Sequence, residues 1–261
     1  SLKYKYSYSK RIIKKYKNFS KLQIIGIGGS TLGTEAIYSF LRDKIKKNFF
    51  FINTIKNETP KNKGKKTLNL IVSKSGNTLE TISNSNIFIN KNDKNIFITE
   101  NKNSYLNNLA KNLKAEIIHH NNFIGGRYSV LSEVGMLPAE LAGLNPKKFK
   151  QFNFLIKKKN FVNGLINNVA NTISLIKKKR YASIILNYDE KSENLFKWYQ
   201  QLIAESLGKK SKGILPVISS MPKDNHSLMQ LYLDGPKKNF YTFFHVLGEN
   251  SLKINNNEIL P

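Results

Sequence analysis

An apolar run that ends in glycines and gives way to helical spacing constrains this chain more than any other feature. Leu22 to Gly29 contains Ile24-Ile25-Gly26-Ile27 and is broken by Gly28-Gly29-Ser30. Beyond the break, Leu32, Ala36, Ile37, Phe40 and Leu41 recur at helical spacing, so the segment reads as strand, glycine turn, helix. The unit repeats. Thr67 to Val72 forms a second apolar strand, Ser73 to Asn77 a polar turn and Thr78 to Phe88 a helix. Asn95 to Thr99 and Ala115 to Ile118 read as further strands, with a helix over Ser104 to Leu113 between them. Such alternation needs crossover connections and therefore predicts an α/β fold with mainly parallel sheets flanked by helices.

A second series follows a lysine-rich stretch. Phe161 to Ile176 and Ser192 to Leu207 read as helices; Tyr181 to Leu186, Ile214 to Ser219 and Phe240 to Val246 read as strands. The segment Gly143 to Lys159, with Pro146, marks a boundary. The expected division is residues 1–150, a first α/β domain with an N-terminal extension, and residues 151–261, a second. Because no helix closes the last predicted strand, the second sheet reads as unfinished and the domain as C-terminally truncated.

With 261 residues and 40% hydrophobic content the chain has material for a real core, which excludes a disordered protein. It has no cysteine, hence no disulfide framework and no thiolate nucleophile. No apolar run reaches the roughly 18 residues of a membrane span, and the N-terminal Lys/Tyr mixture lacks a signal-peptide core, so a cytoplasmic protein without membrane partners is expected. The 43 Lys+Arg against 17 Asp+Glu give a net charge of +26. That field suits nucleic acid, an anionic surface or a phosphorylated small molecule alike. The lysines are scattered in twos and threes among Asn, Ile, Tyr and Phe, residues that share AT-rich codons. Biased base composition is thus preferred to a nucleic-acid footprint, and no helix-turn-helix, zinc or RNP signature is present.

Two turns suit an anion, since each follows a strand and opens a helix whose first N–H groups lack partners. The first, Gly26 to Gly33, includes Gly29 and the hydroxyl of Ser30; its plain structural alternative is a tight turn capped by Ser30. Its glycine spacing differs from the dinucleotide fingerprint. The second offers Ser73, Lys74, Ser75 and Thr78 within six residues, a set matched to a phosphate dianion. Glu80 reads as a first-turn acid favoured by the helix dipole. Gly125-Gly126-Arg127 lets the backbone pass close to a ligand while a permanent planar cation reaches an oxyanion. Gln201 and Glu205 lie four apart on one helical face, although Glu205 has an ordinary surface partner available in Lys209. His226, in Asp224-Asn225-His226-Ser227, suits proton transfer near neutral pH. His119, His120 and His245 have no comparable context, and no histidine pair has metal-ligand spacing.

Together, Gly26–Gly33, Ser73–Thr81, Gly125–Ser129, Gln201 with Glu205-Ser206-Leu207-Gly208-Lys209, and His226-Ser227 resemble the glucose-6-phosphate isomerase family in order and spacing, from about Leu22 to Gly235. The resemblance implies two flavodoxin-like sugar-isomerase (SIS) domains facing one another across an active site, in a homodimer. It implies phosphate recognition by Gly29, Ser30, Ser73, Lys74, Ser75 and Thr78, a site lined by Gly126, and Arg127 stabilising enediolate charge. Glu205 would be the base moving a proton between C1 and C2, Gln201 would hold substrate, and His226, donated across the interface, would open the sugar ring. No cofactor is implied. The polar turn Ser73-Lys74-Ser75-Gly76-Asn77-Thr78 is closer to general SIS domains than to the animal enzyme. This leaves an isomerase of mannose 6-phosphate or an amino-sugar phosphate, or a non-catalytic sugar-phosphate binder, as alternatives. The family's C-terminal Gln-x-Gly-Val-Glu-x-x-Lys segment has no match here, so the chain reads as a fragment.

Overall fold

The computed structural model describes residues 4–55 and 67–247. Among them, strands β1 (Lys21–Ile25), β2 (Asn48–Ile52), β3 (Thr67–Val72), β4 (Lys94–Thr99) and β5 (Glu116–His119) form one wholly parallel sheet in the order β2-β1-β3-β4-β5. β1, β3 and β4 each bury four or five consecutive residues, as strands covered on both faces must. The cover comes from α1 (Lys10–Tyr16), α2 (Leu32–Phe40), α3 (Leu79–Phe88), α4 (Tyr105–Asn112) and α5 (Glu133–Leu141). One core layer joins Leu22, Leu70 and Ile98 of the sheet to Val134, Leu137 and Leu141 of α5. The opposite layer joins Ile25, Ile71 and Phe97 to Phe88 of α3 and Leu106 and Ala110 of α4.

The middle of this sheet carries a polar row. Gln23, Asn69 and Asn95 are register partners on β1, β3 and β4. Gln23 Nε2 donates to Asn69 Oδ1 at 3.1 Å, and Asn69 Nδ2 donates to Asn95 Oδ1 at 2.8 Å. All three side chains are buried. A slip of one residue would break every link, so the row fixes the strand register.

After α6 (Pro146–Phe149), a 3-10 turn at Lys150–Lys157 and α7 (Lys159–Lys177), a second parallel sheet runs β7-β6-β8, with β6 (Ala182–Asn187) between β7 (Leu215–Ser220) and β8 (Asn239–Phe244). α8 (Glu193–Leu207) packs on β7, and α9 (Met229–Asp234) precedes β8. The expected α/β class with parallel sheets is present. α1, β2, α6 and α9 add to the expected elements, and a 3-10 turn at Gly126–Leu131 leads into α5. The segment 143–159, where the boundary is expected, is largely helical. The two sheets are joined through α2, which packs against α8, and Ser39 Oγ donates to Lys191 O at 3.1 Å. No helix among the described residues is long and apolar enough to cross a membrane.

Candidate functional site

In the first sheet the chain leaves β1 for β2 on one side and reaches β3 on the other, so the order reverses between β1 and β3. Ligands of open α/β sheets bind outside the carboxyl ends of strands at such a switch point. Ile25 and Ile71, near the ends of β1 and β3, are register partners. The turns 26–31 and 73–78 therefore emerge side by side.

Neither of the helices that follow has a side-chain cap. α2 opens with Thr31 in the N-cap position and α3 with Thr78, and no side chain caps either start. Ser30 is thus not the cap that the plain structural reading required; it sits half-buried in a 3-10 turn at Gly28–Ser30. In the second turn, Thr78 Oγ1 lies 2.9 Å from Ser73 Oγ and 3.4 Å from Ser75 Oγ. Gly76 N donates to Ser73 Oγ at 3.2 Å and Asn77 N to Ser75 Oγ at 3.1 Å. The turn thus gathers three hydroxyls at an uncapped helix start, an arrangement suited to an anion. The Lys74 ammonium is already engaged: it donates to Asn122 O at 2.9 Å and lies 3.5 Å from Glu100 Oε1. Glu80 is a first-turn acid of α3, as expected.

Gly28 has φ +57°, a backbone state that favours glycine. Gly29 is required by contact, because an added Cβ would lie 2.4 Å from the carbonyl carbon of Gly126. Ser129 Oγ locks the approach, donating to Gly126 O at 2.7 Å and sitting 3.1 Å from Gly29 O. The first glycine turn and the Gly125–Arg127 turn are consequently one unit.

α8 completes the site from the second sheet. Arg127 Nη1 donates to Glu205 Oε1 at 2.9 Å, and Arg127 Nε donates to Ser206 Oγ at 2.9 Å. The Arg127 side chain is 18% exposed and that of Glu205 52%. The ordinary partner for Glu205, Lys209, is not the one it takes. Trp198 Nε1, two turns earlier on α8, donates to the Arg127 carbonyl at 2.9 Å. The Tyr128 hydroxyl is 2.9 Å from Ser206 Oγ; that hydrogen bond and then Arg127 hold the phenol below its ordinary value. Gln201, one turn back from Glu205, faces Gly28: its Nε2 lies 3.2 Å from where a Gly28 Cβ would stand. Its Oε1 is buried without a hydrogen-bond partner. A buried amide oxygen left without a donor costs free energy, and a bound hydroxyl would supply one.

His226 follows a 3-10 turn at Lys223–Asn225 after β7, and its ring is exposed. Asp224 fixes that loop, accepting from Ser219 Oγ at 2.8 Å, Ser220 N at 2.8 Å and Ser227 Oγ at 3.1 Å. Thus Gly29, Gly126, Arg127, Gln201 and Glu205 form one cluster, the hydroxyls of the 73–78 turn lie beside its glycine turn, and His226 is not hydrogen-bonded to it among the described residues. A cavity of about 820 Å³ behind the Arg127 turn, lined by Phe40, Phe149 and Trp198 among others, includes none of Ser30, Ser73, Ser75 or Thr78. It is a mainly apolar space that shares Gly125, Tyr128 and Trp198 with the Arg127 turn. Trp198, Ser206 and Ser129 hold the Arg127 turn in place, roles that the motifs containing Ser129 and Ser206 did not assign; a lone Trp two helical turns before Glu205 was the available signal.

A parallel sheet with two anion-suited turns at its switch point, completed by an arginine–glutamate pair, defines an α/β protein of the open, parallel-sheet class with a candidate anion site. Solved structures agree with the fold. A hypothetical protein from Thermus thermophilus superposes with TM-score 0.76 at 25% identity, over 89% of this chain and 62% of that one. Tagatose-6-phosphate ketose/aldose isomerase from Escherichia coli superposes with TM-score 0.61 at 15% identity, over 90% of this chain and 64% of that one. The profile of the family described as Phosphoglucose isomerase matches residues 11–215, and the chain belongs to that family. It is 34% identical to a glucose-6-phosphate isomerase of Methanocaldococcus jannaschii over 88% of this chain and 61% of the relative. It is 36% identical to a probable glucose-6-phosphate isomerase of Methanococcus maripaludis over 91% of this chain and 59% of the relative. The chain thus spans about three fifths of the length of these curated relatives. Arg127, Gln201 and Glu205 fall inside the matched residues; His226 falls outside them.

Proposed function

We propose that this chain carries the sugar-phosphate site of an aldose–ketose isomerase that interconverts glucose 6-phosphate and fructose 6-phosphate through a cis-enediol. The observation that carries this reading is the 2.9 Å pair of Arg127 and Glu205, set against the glycine turn and one helical turn from the unpartnered Gln201 oxygen. The phosphate dianion is held by the hydroxyls of Ser30, Ser73, Ser75 and Thr78, the Gly29 backbone and the nearby charge of Lys74. Glu205 takes the proton from C2 of the open-chain aldose; the electron pair forms the C1=C2 enediol, and its oxyanion is stabilised by Arg127. The O2 hydroxyl proton passes to O1 across the cis-enediolate as Glu205 returns its proton to C1, leaving a hydroxyl at C1 and the ketone at C2. The proton moves between adjacent carbons with no net redox change, so the chemistry asks for no cofactor.

Gln201 supplies the hydrogen bonds that orient the sugar, with Gly126 lining the site. His226 opens the ring, and its exposure fits donation to the site of a second copy in a homodimer. The division into domains 1–150 and 151–261 and a cytoplasmic location belong to the same reading. In deuterated solvent the unmodified protein should exchange the C2 proton of glucose 6-phosphate. Glu205→Gln should lower that exchange by about 10³-fold or more while sugar-phosphate binding persists. Exchange that survives in Glu205→Gln, or none in the unmodified protein, would contradict the assignment.

A further inference from the structure

His120 and Glu133 flank the loop that carries Arg127: one ends the passage out of β5, the other is the first residue of α5. Both side chains are 2% exposed. His120 Nε2 lies 3.2 Å from Ile124 O, an acceptor, so this nitrogen carries a proton. His120 Nδ1 is buried without a hydrogen-bond partner and lies 3.6 Å from Glu133 Oε2, a few tenths of an ångström beyond hydrogen-bond reach. A neutral ring would point a lone pair at one of these two acceptors whichever tautomer it took. Only the doubly protonated ring offers a donor to each.

We propose that His120 is a positioning residue, held as an imidazolium between the Glu133 carboxylate and the Ile124 carbonyl, which closes the base of the 121–132 loop and so sets the Arg127 turn. The charged groups around it are few. Glu133 also accepts from Tyr4 OH at 2.8 Å and Ser7 N at 3.0 Å, and the Lys74 ammonium meets the same loop at Asn122 O. Burial pushes the Glu133 carboxyl up, but the contact with His120, backbone N–H groups and Tyr4 outweigh it and hold the group below its ordinary value. The consequence for the site is direct. Ile124 precedes Gly125, whose carbonyl accepts from Tyr128 N at 3.0 Å to start the turn on which Arg127 sits. A shift of about 1 Å in a reacting group costs up to about 10²-fold.

The role of His120 in binding rests on the isomerase reading, but its ring protons do not. The chain has one tryptophan, and its indole N–H is bonded to the Arg127 carbonyl, so Trp198 emission reports the turn directly. The test uses the full chain labelled with ¹⁵N-histidine near pH 7, together with His120→Phe and Glu133→Gln, reading ring nitrogens, Trp198 emission and affinity for fructose 6-phosphate. Expected are two protonated ring nitrogens on His120, reduced to Nε2–H alone in Glu133→Gln. Both variants should shift Trp198 emission and weaken fructose 6-phosphate by about tenfold. A single ring proton on His120 in the unmodified chain overturns the proposal, as does unchanged Trp198 emission in Glu133→Gln, the variant that keeps the ring should His120→Phe not fold. If the unmodified chain binds no fructose 6-phosphate, the isomerase reading fails, while ring protons and emission still decide the positioning claim.

Discussion

At Gly29 the backbone of one turn touches that of another, with a would-be Cβ 2.4 Å from Gly126 C and 2.5 Å from Gly126 O. Neither neighbour is a side-chain end that can swing aside. Gly29→Ala should therefore cost about 1–3 kcal/mol, as overpacking does, and part the two turns. Thermal unfolding reads the first effect and a loss of fructose 6-phosphate binding the second. At this scale much of the site was legible in the sequence. Glycines, hydroxyls and an arginine betray themselves by type and by position after a strand, and Gln201 and Glu205 by a spacing of four. The sequence was silent on pairing across distance. Lys209 is the near partner that spacing offers Glu205, and Arg127, 78 residues away, is the one it takes. His120 looked contextless for the same reason: its partner Glu133 lies beyond a loop that has no periodicity to read.

Among the elements, the first sheet is specified twice, by its apolar strands and by the Gln23–Asn69–Asn95 row. Asn69 is the middle member, so Asn69→Ala strands a donor on Gln23 and an acceptor on Asn95 in the core. Each stranded group should cost about 1–3 kcal/mol, read as a lower denaturant midpoint with an unchanged slope. Such a row escapes a periodicity search because buried Gln and Asn lower the apolar count of the strands that contain them. β2 was missed on different grounds. Its sequence, Asn48–Ile52, follows a lysine pair and lacks the glycine or hydroxyl turn that marked β1 and β3. α7 was legible as a helix from its spacing, yet none of its side chains is buried, so helical period alone says nothing of what a face packs against.

Across the whole molecule, charge governs two further expectations. Glu100, Glu133 and Asp224 all ionise below their ordinary range: Glu100 through its hydrogen bond from Lys102, and the other two because hydrogen bonds from their neighbours outweigh burial. Carboxyls lowered on folding give stability that is full above their unfolded values of about 4 and is lost as pH falls through the folded ones. Urea midpoints should thus not fall between pH 7 and about 5, where a charged His120 adds stability as its unfolded counterpart protonates, and should fall steeply below about 4; a flat profile to pH 3 would contradict this. With a net charge of +26, affinity for a sugar phosphate should also drop as salt rises from about 0.02 to about 0.5 M, because screening weakens the attraction. Composition alone could not tell such a phosphate binder from a nucleic-acid binder; the switch-point geometry favours the first. The central claim, that the hydroxyl turn after β3 and the Arg127 turn serve one bound sugar phosphate, is tested most directly by titrating Trp198 emission with fructose 6-phosphate. The expected result is a saturable change in emission that Ser75→Ala weakens about tenfold or more, although Ser75 does not touch the tryptophan. An emission change of undiminished affinity in Ser75→Ala, or none in the unmodified chain, would contradict it.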